Sequence, residues 1–402
     1  MGDEKLLFIK RKSQDMFSKP CRWITDRWLS DASWSWCLNN EISSGDKRFH
    51  KSHSLHSRFE LFDHSPGFYY RNVSMEFLFS LFKLLRVVDI DCGFSFGYEV
   101  LNVPAILVHL RYFSLTYEQR YCDAPLCVKL FEHWNMQSFI VRGNFVTLDF
   151  SEASGIWMMP LLRDFCVEKI LSLETLSVVY NNLENISWLD PKLCTKDLFT
   201  RIPNLKKLGI DGGYAQSPDC FYNFVHLEQL ETLSIRRWRY LKRIPCSGIP
   251  WGTSFLPNLK KLKFFRTRLL PWSDMRLIGM LPNLEVLKLI NACQGPTWEP
   301  YNGGFCRLKR LVIEDTLLKY WNAGSDHFPV LECLELCKCK YLEEIPSGFV
   351  DITTLALIQL NYCLDSLLTS AKWIQDERLN IYGNSILIRS ENIRCDGEDY
   401  CL

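Results

Sequence analysis

The sequence holds no apolar run that approaches the eighteen or so residues of a membrane span. Its opening, MGDEKLLFIKRK, offers only the short apolar stretch Leu6 to Ile9, too little for the core of a secretory signal. Neither charge is in excess: 47 Lys and Arg face 46 Asp and Glu, for a net +1. That balance removes the general reason to expect nucleic acid or an anionic membrane as partner. The phosphate-cradling pattern G-x-x-x-x-G-K-[ST] and the dinucleotide pattern G-x-G-x-x-G are absent, so nothing predicts nucleotide binding or a bound cofactor. Gly212-Gly213 and Gly303-Gly304 read as turns. Acids, bases and nucleophiles are scattered without the spacing of a catalytic constellation, and no enzyme is expected.

Cysteine is abundant, with 17 residues, yet no pair of C-x-x-C motifs or nearby histidine frames a zinc site. Cys333, Cys337 and Cys339 are close in sequence, but their alternation sends the first two outward and the third inward. His50, His53 and His56 recur every third residue, as ligands on a helix could. They sit in a Ser-rich polar stretch without flanking acids, which favours a solvated loop or strand. No metal is expected. A chain without a secretory signal keeps its thiols reduced, so these features together predict a soluble intracellular protein, cytoplasmic or nuclear.

What is present is a repeat. The block L-x-x-L-x-L recurs as Leu205-Leu208-Ile210, Leu230-Leu233-Ile235, Leu259-Leu262-Phe264, Leu284-Leu287-Leu289, Leu308-Leu311-Ile313, Leu331-Leu334-Leu336 and Leu355-Ile358-Leu360. The starts lie 25, 29, 25, 24, 23 and 24 residues apart. Looser copies begin at Leu85, Leu110, Met136, Leu162 and Leu173, the last leaving an irregular step of 32 residues to Leu205. Positions four and six of the block alternate with period two and point inward from a short strand. No unit can enclose its own apolar row, so neighbours must stack. The fold class predicted is an α/β repeat: a leucine-rich-repeat solenoid, a curved horseshoe of about twelve repeats with a parallel β-sheet on its concave face.

Proline two residues before the first leucine (Pro160, Pro203, Pro257, Pro282 and Pro329) fixes φ where the chain turns into the strand. Asn144, Asn181, Cys339 and Cys363 stand near position nine, where such repeats use Asn or Cys to hydrogen-bond the loop backbone. Gly93, Gly213, Trp238 or Thr267 in other units predicts an incomplete ladder. The domain plan expected is a non-repeat N-terminal segment over 1–60, carrying Trp23, Trp28, Trp34 and Trp36 as a cap or the remnant of an upstream domain. The solenoid follows over 61–369, a helix-then-strand cap over 370–394, and a tail over 395–402.

The solvent side of the strands is the candidate binding face, expected on the concave side of the arc. Lys206, Lys207, Arg236, Lys260, Lys261, Lys263, Lys288, Lys309 and Arg310 make it basic. Trp238, Tyr240 and Phe265 supply aromatic anchors, and Glu332, Glu335, Glu343 and Glu344 switch its sign. Exposed aromatics beside arginine are the usual anchors of a protein interface. Solvated charge on a repeat protein explains the same residues more plainly.

The phrasing of the units is specific. IPNLKKLGI (202–210), FVHLEQLETLSI (224–235), FLPNLKKLKF (255–264), MLPNLEVLKL (280–289), FPVLECLELCKCKYLEEIPSGF (328–349) and SAKWIQDE (370–377) resemble one family. It is the leucine-rich-repeat end of intracellular plant immune receptors, of the kind of the late blight resistance proteins of nightshade-family plants. The resemblance covers about residues 70 to 390 and implies a recognition module in plant defence. It implies a protein partner: a pathogen effector, a guarded host protein or a full-length immune receptor. The family's coiled coil and nucleotide-binding motifs have no counterpart here, so ATP switching is not implied. A second reading, a substrate adaptor of a ubiquitin ligase, requires an F-box-like segment before the arc, and residues 1–60 lack its Leu-Pro opening.

Overall fold

The computed structural model describes residues 6–8, 23–26, 53–59, 83–93, 101–102, 107–118, 128–129, 134–143, 159–170, 179–212, 219–236, 255–267 and 270–392. The chain divides into two units, Met1–Trp188 and Leu189–Leu402. Each is a stack of parallel strands, a β-solenoid of leucine-rich-repeat type.

In the first unit the ladder runs β1 (Leu6–Phe8), β2 (Trp23–Asp26), β3 (Ser54–Phe59), β4 (Val87–Gly93), β5 (Tyr112–Glu118), β6 (Ser138–Gly143) and β7 (Asp164–Ile170), with β8 (Asn185–Leu189) next to β7. The stretch expected to be non-repeat, 1–60, therefore contributes three strands to the same parallel ladder. Inward positions fall in register as Val88, Phe113, Phe139 and Phe165. Their phenyl rings stack at 5.8 and 5.9 Å between centroids. The irregular step after Leu162 disappears. The strand after β7 follows Leu183, not Leu173, so successive starts are 21 and 22 residues apart. Leu173-Leu176-Val178 lies outside the described residues. Asn181, expected at a ladder position, is an exposed turn residue just before this unit. Asn144 lies outside the described residues.

The second unit contains β9 (Lys207–Asp211), β10 (Thr232–Arg236), β11 (Lys261–Phe265), β12 (Val286–Ile290), β13 (Arg310–Glu314), β14 (Cys333–Cys337), β15 (Leu357–Asn361) and β16 (Leu387–Glu391). Every neighbouring pair is parallel, with like repeat positions face to face: Leu208, Leu233, Leu262, Leu287, Leu311, Leu334 and Ile358 form one continuous row. All seven are buried. With positions one and six buried as well, each unit contributes three apolar side chains at roughly 1.5–3 kcal/mol each.

The turn into each strand follows from the Pro-Asn-Leu signature. The position-one N–H of Leu205, Leu230, Leu259, Leu308, Leu331 and Leu355 donates to the carbonyl three residues earlier. Where proline is present it occupies the second place of that turn, where its fixed φ is preset. The Asn that follows does a second job. Asn258 Nδ2 donates to Glu228 O at 2.8 Å and Asn283 Nδ2 to Pro257 O at 2.6 Å, each one unit back. Asn135 and Asn182 do the same in the first unit.

A further ladder runs through position nine. Cys339 and Cys363 are buried, and their thiols donate to Ile313 O and Leu336 O of the preceding unit. Thr267, expected to break this ladder, belongs to it: buried, it donates to Ala292 O at 3.1 Å. On the far side of the core Trp272, Trp298 and Trp321 stack at 4.7 and 5.2 Å. Helix α1 (Asp365–Tyr382) precedes β16 and buries Leu367, Ala371, Ile374 and Arg378. Arg378 donates to the carbonyls of Ile352 and Thr353, which satisfies backbone acceptors beneath the helix.

Strands β11 to β16 each end on a left-handed residue at position eight, namely Arg266, Asn291, Asp315, Lys338, Tyr362 and Asn392, with φ between 47° and 55°. The first five donate their N–H to the position-seven carbonyl of the next unit, which holds a conformation that L-residues otherwise disfavour. Tyr362→Gly is therefore expected to match or exceed the parent stability, and Tyr362→Val to lose about 1–2 kcal/mol, read from urea midpoints.

Two buried thiols set an alkaline limit. Burial pushes Cys194 up, with Cys220 and Asp190 adding to it, and burial then Asp274 push Cys293 up. The folded state keeps both protonated while the unfolded chain ionises near pH 8.5. Their contribution is complete below that value and lost as pH rises above it, by up to about 1.4 kcal/mol per pH unit per thiol. Urea titrations between pH 7 and pH 10 should show this slope, reduced in Cys194→Ala/Cys293→Ala.

Candidate functional site

The outward side of β9 to β14 gathers most of the predicted site residues, and the register decides which of them meet. Position two, just before each strand, reads Lys206, Glu231, Lys260, Glu285, Lys309 and Glu332 down the stack. Each carbonyl of this row accepts the N–H groups of positions two and three in the next unit, so the six residues are consecutive neighbours. Their charges alternate. Lys260 Nζ lies 3.4 Å from Glu231 Oε1. Lys206, Lys260 and Lys309, expected as part of a basic stripe, are thus interleaved with carboxylates. Glu231 and Glu285 escaped the sequence reading, and their only signal was the shared register position.

Arg236 is a second correction. Expected on the solvent side, it is buried, with Nη2 3.2 Å and Nε 3.3 Å from Asp211 Oδ2. Position seven of β9 and β10 thus holds an internal ion pair, because Asp211 and Arg236 are register partners. Trp238 and Tyr240 lie outside the described residues.

Five strands, β9 and β11 to β14, carry most of the rest. Lys207, Lys261 and Arg310 are exposed at position three. Arg310 makes an ion pair with Glu335 of the adjoining strand. Glu314 takes Lys338 at 3.2 Å, and Glu343 takes Lys319 at 3.6 Å on the loop side. Glu344 is exposed. At position five Lys263 and Lys288 are direct register partners, both half-buried. Lys263 Nζ also sits 5.3 Å from the centre of the Phe265 ring, and Arg266 approaches the same ring at 5.1 Å. Burial lowers the Lys263 ammonium from its ordinary value, Lys288 adds to that, and Glu314 opposes it. Val286 and Ile290 are half-buried beside the pair, and Val312 is buried.

The cysteines divide as their alternation predicts: Cys333 and Cys337 are half-buried on the outward side, and Cys339 is inside. Burial first, then the Glu335 charge and hydrogen bond, push the Cys333 thiol up to about 11. Among the described residues no group of three or more His, Cys, Asp or Glu could hold a metal ion, and no helix is long and apolar enough to cross a membrane. His56 stands in strand β3 and not on a helix. Gly93-Phe94-Ser95-Phe96-Gly97 spells the G-x-S-x-G pattern of a nucleophile elbow. Gly93 closes β4, and residues 94–97 lie outside the described residues.

No family model matches the chain. Among curated proteins it is 29% identical over 359 residues to the late blight resistance protein homolog R1B-16 of Solanum demissum, across 83% of this chain and 26% of that protein. It is 31% identical over 319 residues to the late blight resistance protein R1-A of the same plant, across 76% of this chain and 23% of that one. The chain is a homologue of the leucine-rich-repeat region of late blight resistance proteins. It spans about a quarter of the length of these resistance-protein relatives. The functional domain of InlJ from Listeria monocytogenes aligns over 79% of this chain and 64% of its own, at 11% identity and a TM-score of 0.30, too distant a likeness to carry an argument.

Within this resistance-protein homologue the Asp211–Arg236 pair is a constraint on the fold. Removing one member leaves a buried charge uncompensated, so Arg236→Ala should cost about 3–5 kcal/mol in chemical denaturation. Asp211→Asn/Arg236→Met should recover most of that loss.

Proposed function

We propose that this chain is a non-catalytic recognition module of plant defence and that the outward face of β11 to β14 docks a protein partner. The kinship with late blight resistance proteins supports the defence role. The observation that carries the docking reading is the make-up of the central strands. Phe265, Ile290 and Val286 are half-buried and in direct register with one another or with charged neighbours, so apolar and charged side chains share one aligned surface. Aromatic and aliphatic anchors ringed by charge are what protein interfaces use.

The partner is a pathogen effector, a guarded host protein or a full-length immune receptor, and the module works inside the cell, in cytosol or nucleus. Lys261, Phe265, Ile290, Arg310 and Glu335 form the contact face, and Lys207, Lys309 and Glu332 belong to its rim.

Proximity labelling in infected and uninfected leaf tests this directly. The parent chain should mark a defined protein that Phe265→Arg/Ile290→Arg loses at least tenfold, whereas Leu317→Arg, on an exposed loop residue, should keep it. Silencing should weaken defence. Identical labelling by all three chains, with no defence phenotype, overturns the reading.

A further inference from the structure

Where two charged residues are neighbours across the described stack of the second unit, they are of opposite sign, with one exception. Position two alternates in sign through six consecutive units. Arg236 is matched by Asp211, Arg310 by Glu335, Lys260 by Glu231 and Lys338 by Glu314. Lys263 and Lys288 break the pattern: they are register partners of like charge on adjacent parallel strands. Among the described residues no carboxylate lies within ion-pair distance of either. Like charges placed directly opposite each other destabilise a sheet, and both lysines are half-buried, where repulsion is less screened than in bulk water. The nearest relief is incomplete, since the Phe265 ring lies at 5.3 Å from Lys263 Nζ and Glu314 is already engaged by Lys338.

We propose that Lys263 and Lys288, flanked by Phe265 and Ile290, anchor a carboxylate-bearing segment of the protein partner, with an apolar residue of that segment against the phenyl and isoleucine side chains. This rests on the docking reading and names the chemistry it takes. Two ammonium groups on neighbouring strands stand about 4.8 Å apart at the backbone, the spacing at which one carboxylate can bridge both. A long polyanion does not fit: along the stack it would meet Glu314 and Glu335 on the next two strands, and the alternating row beside them offers no continuous positive track. The ligand is therefore a short acidic and apolar stretch of protein, and nucleic acid is excluded by the same charges.

A random heptapeptide library displayed on phage and selected on the whole chain provides the probe. Enriched sequences should combine Asp or Glu with Leu, Ile or Phe, and a synthetic copy should bind at least tenfold more weakly to Lys263→Gln/Lys288→Gln and weaken as salt is raised. Lys206→Gln/Lys260→Gln should change its affinity less than twofold. The free Lys263→Gln and Lys288→Gln chains should melt no lower than the parent, because each substitution removes a repulsion, so that lost binding cannot be ascribed to lost folding. Peptides without acidic enrichment, or acidic peptides that bind the double variant as well as the parent, overturn the anchor. If such peptides still lose binding in Ile290→Arg, the docking face survives and only the carboxylate anchor falls. If no peptide is enriched, or none responds to either change, both fall.

Discussion

A row of leucines that no single unit can enclose governs this structure. The first, fourth and sixth positions of each block become buried only when the next unit lies against them, so stacking is obligatory and burial is shared. Stacking in turn demands register. A strand that slipped by one residue would turn its entire apolar row to solvent. The structure spends its polar groups on preventing that slip. Asparagines before the first leucine reach back one unit, thiols and hydroxyls at the ninth position bond neighbouring carbonyls, and the left-handed residue at the eighth position donates forward.

The same register that buries the leucines also dictates the outward surface. Once Leu262 must face Leu287, Lys263 has no choice but to face Lys288, and Asp211 must face Arg236. Whether neighbours attract or repel is then a consequence of core packing, settled residue by residue. Most rows resolve toward attraction: lysines and glutamates alternate at position two, and a buried ion pair closes position seven of β9 and β10. Among the described residues the lysine pair at position five is where the surface is not arranged for the stability of the free chain, and the proposed carboxylate anchor would give that arrangement a use.

The fold was legible in the sequence where the signal was local. Leu-Pro-Asn-Leu marks a turn, and the six residues after it mark a strand, because both are set by contacts within a few residues. The repeat pattern missed the unit at Leu183, whose strand lies next to β7 in the sheet. That unit spells Leu183-x-x-Ile186 and then places half-buried Trp188 where an aliphatic is expected, with Leu189 taking the inner place. Thr267 was discounted at the ninth position because the pattern names Asn or Cys, yet a hydroxyl supplies the same donor in the same space.

The period of the repeat, the identity of its core and the turn chemistry were determined by the sequence alone, since each depends on residues close together in the chain. The basic face was legible only as a list of cations. Glu231 stands between Lys206 and Lys260 only in the stacked molecule, and Asp211 reaches Arg236 across 25 residues of chain. Tertiary structure decided which charges are neutralised, which is buried and which pair is left in repulsion. The physical reason is that electrostatic energy depends on distance in space, and stacking brings together side chains that the sequence holds a full repeat apart.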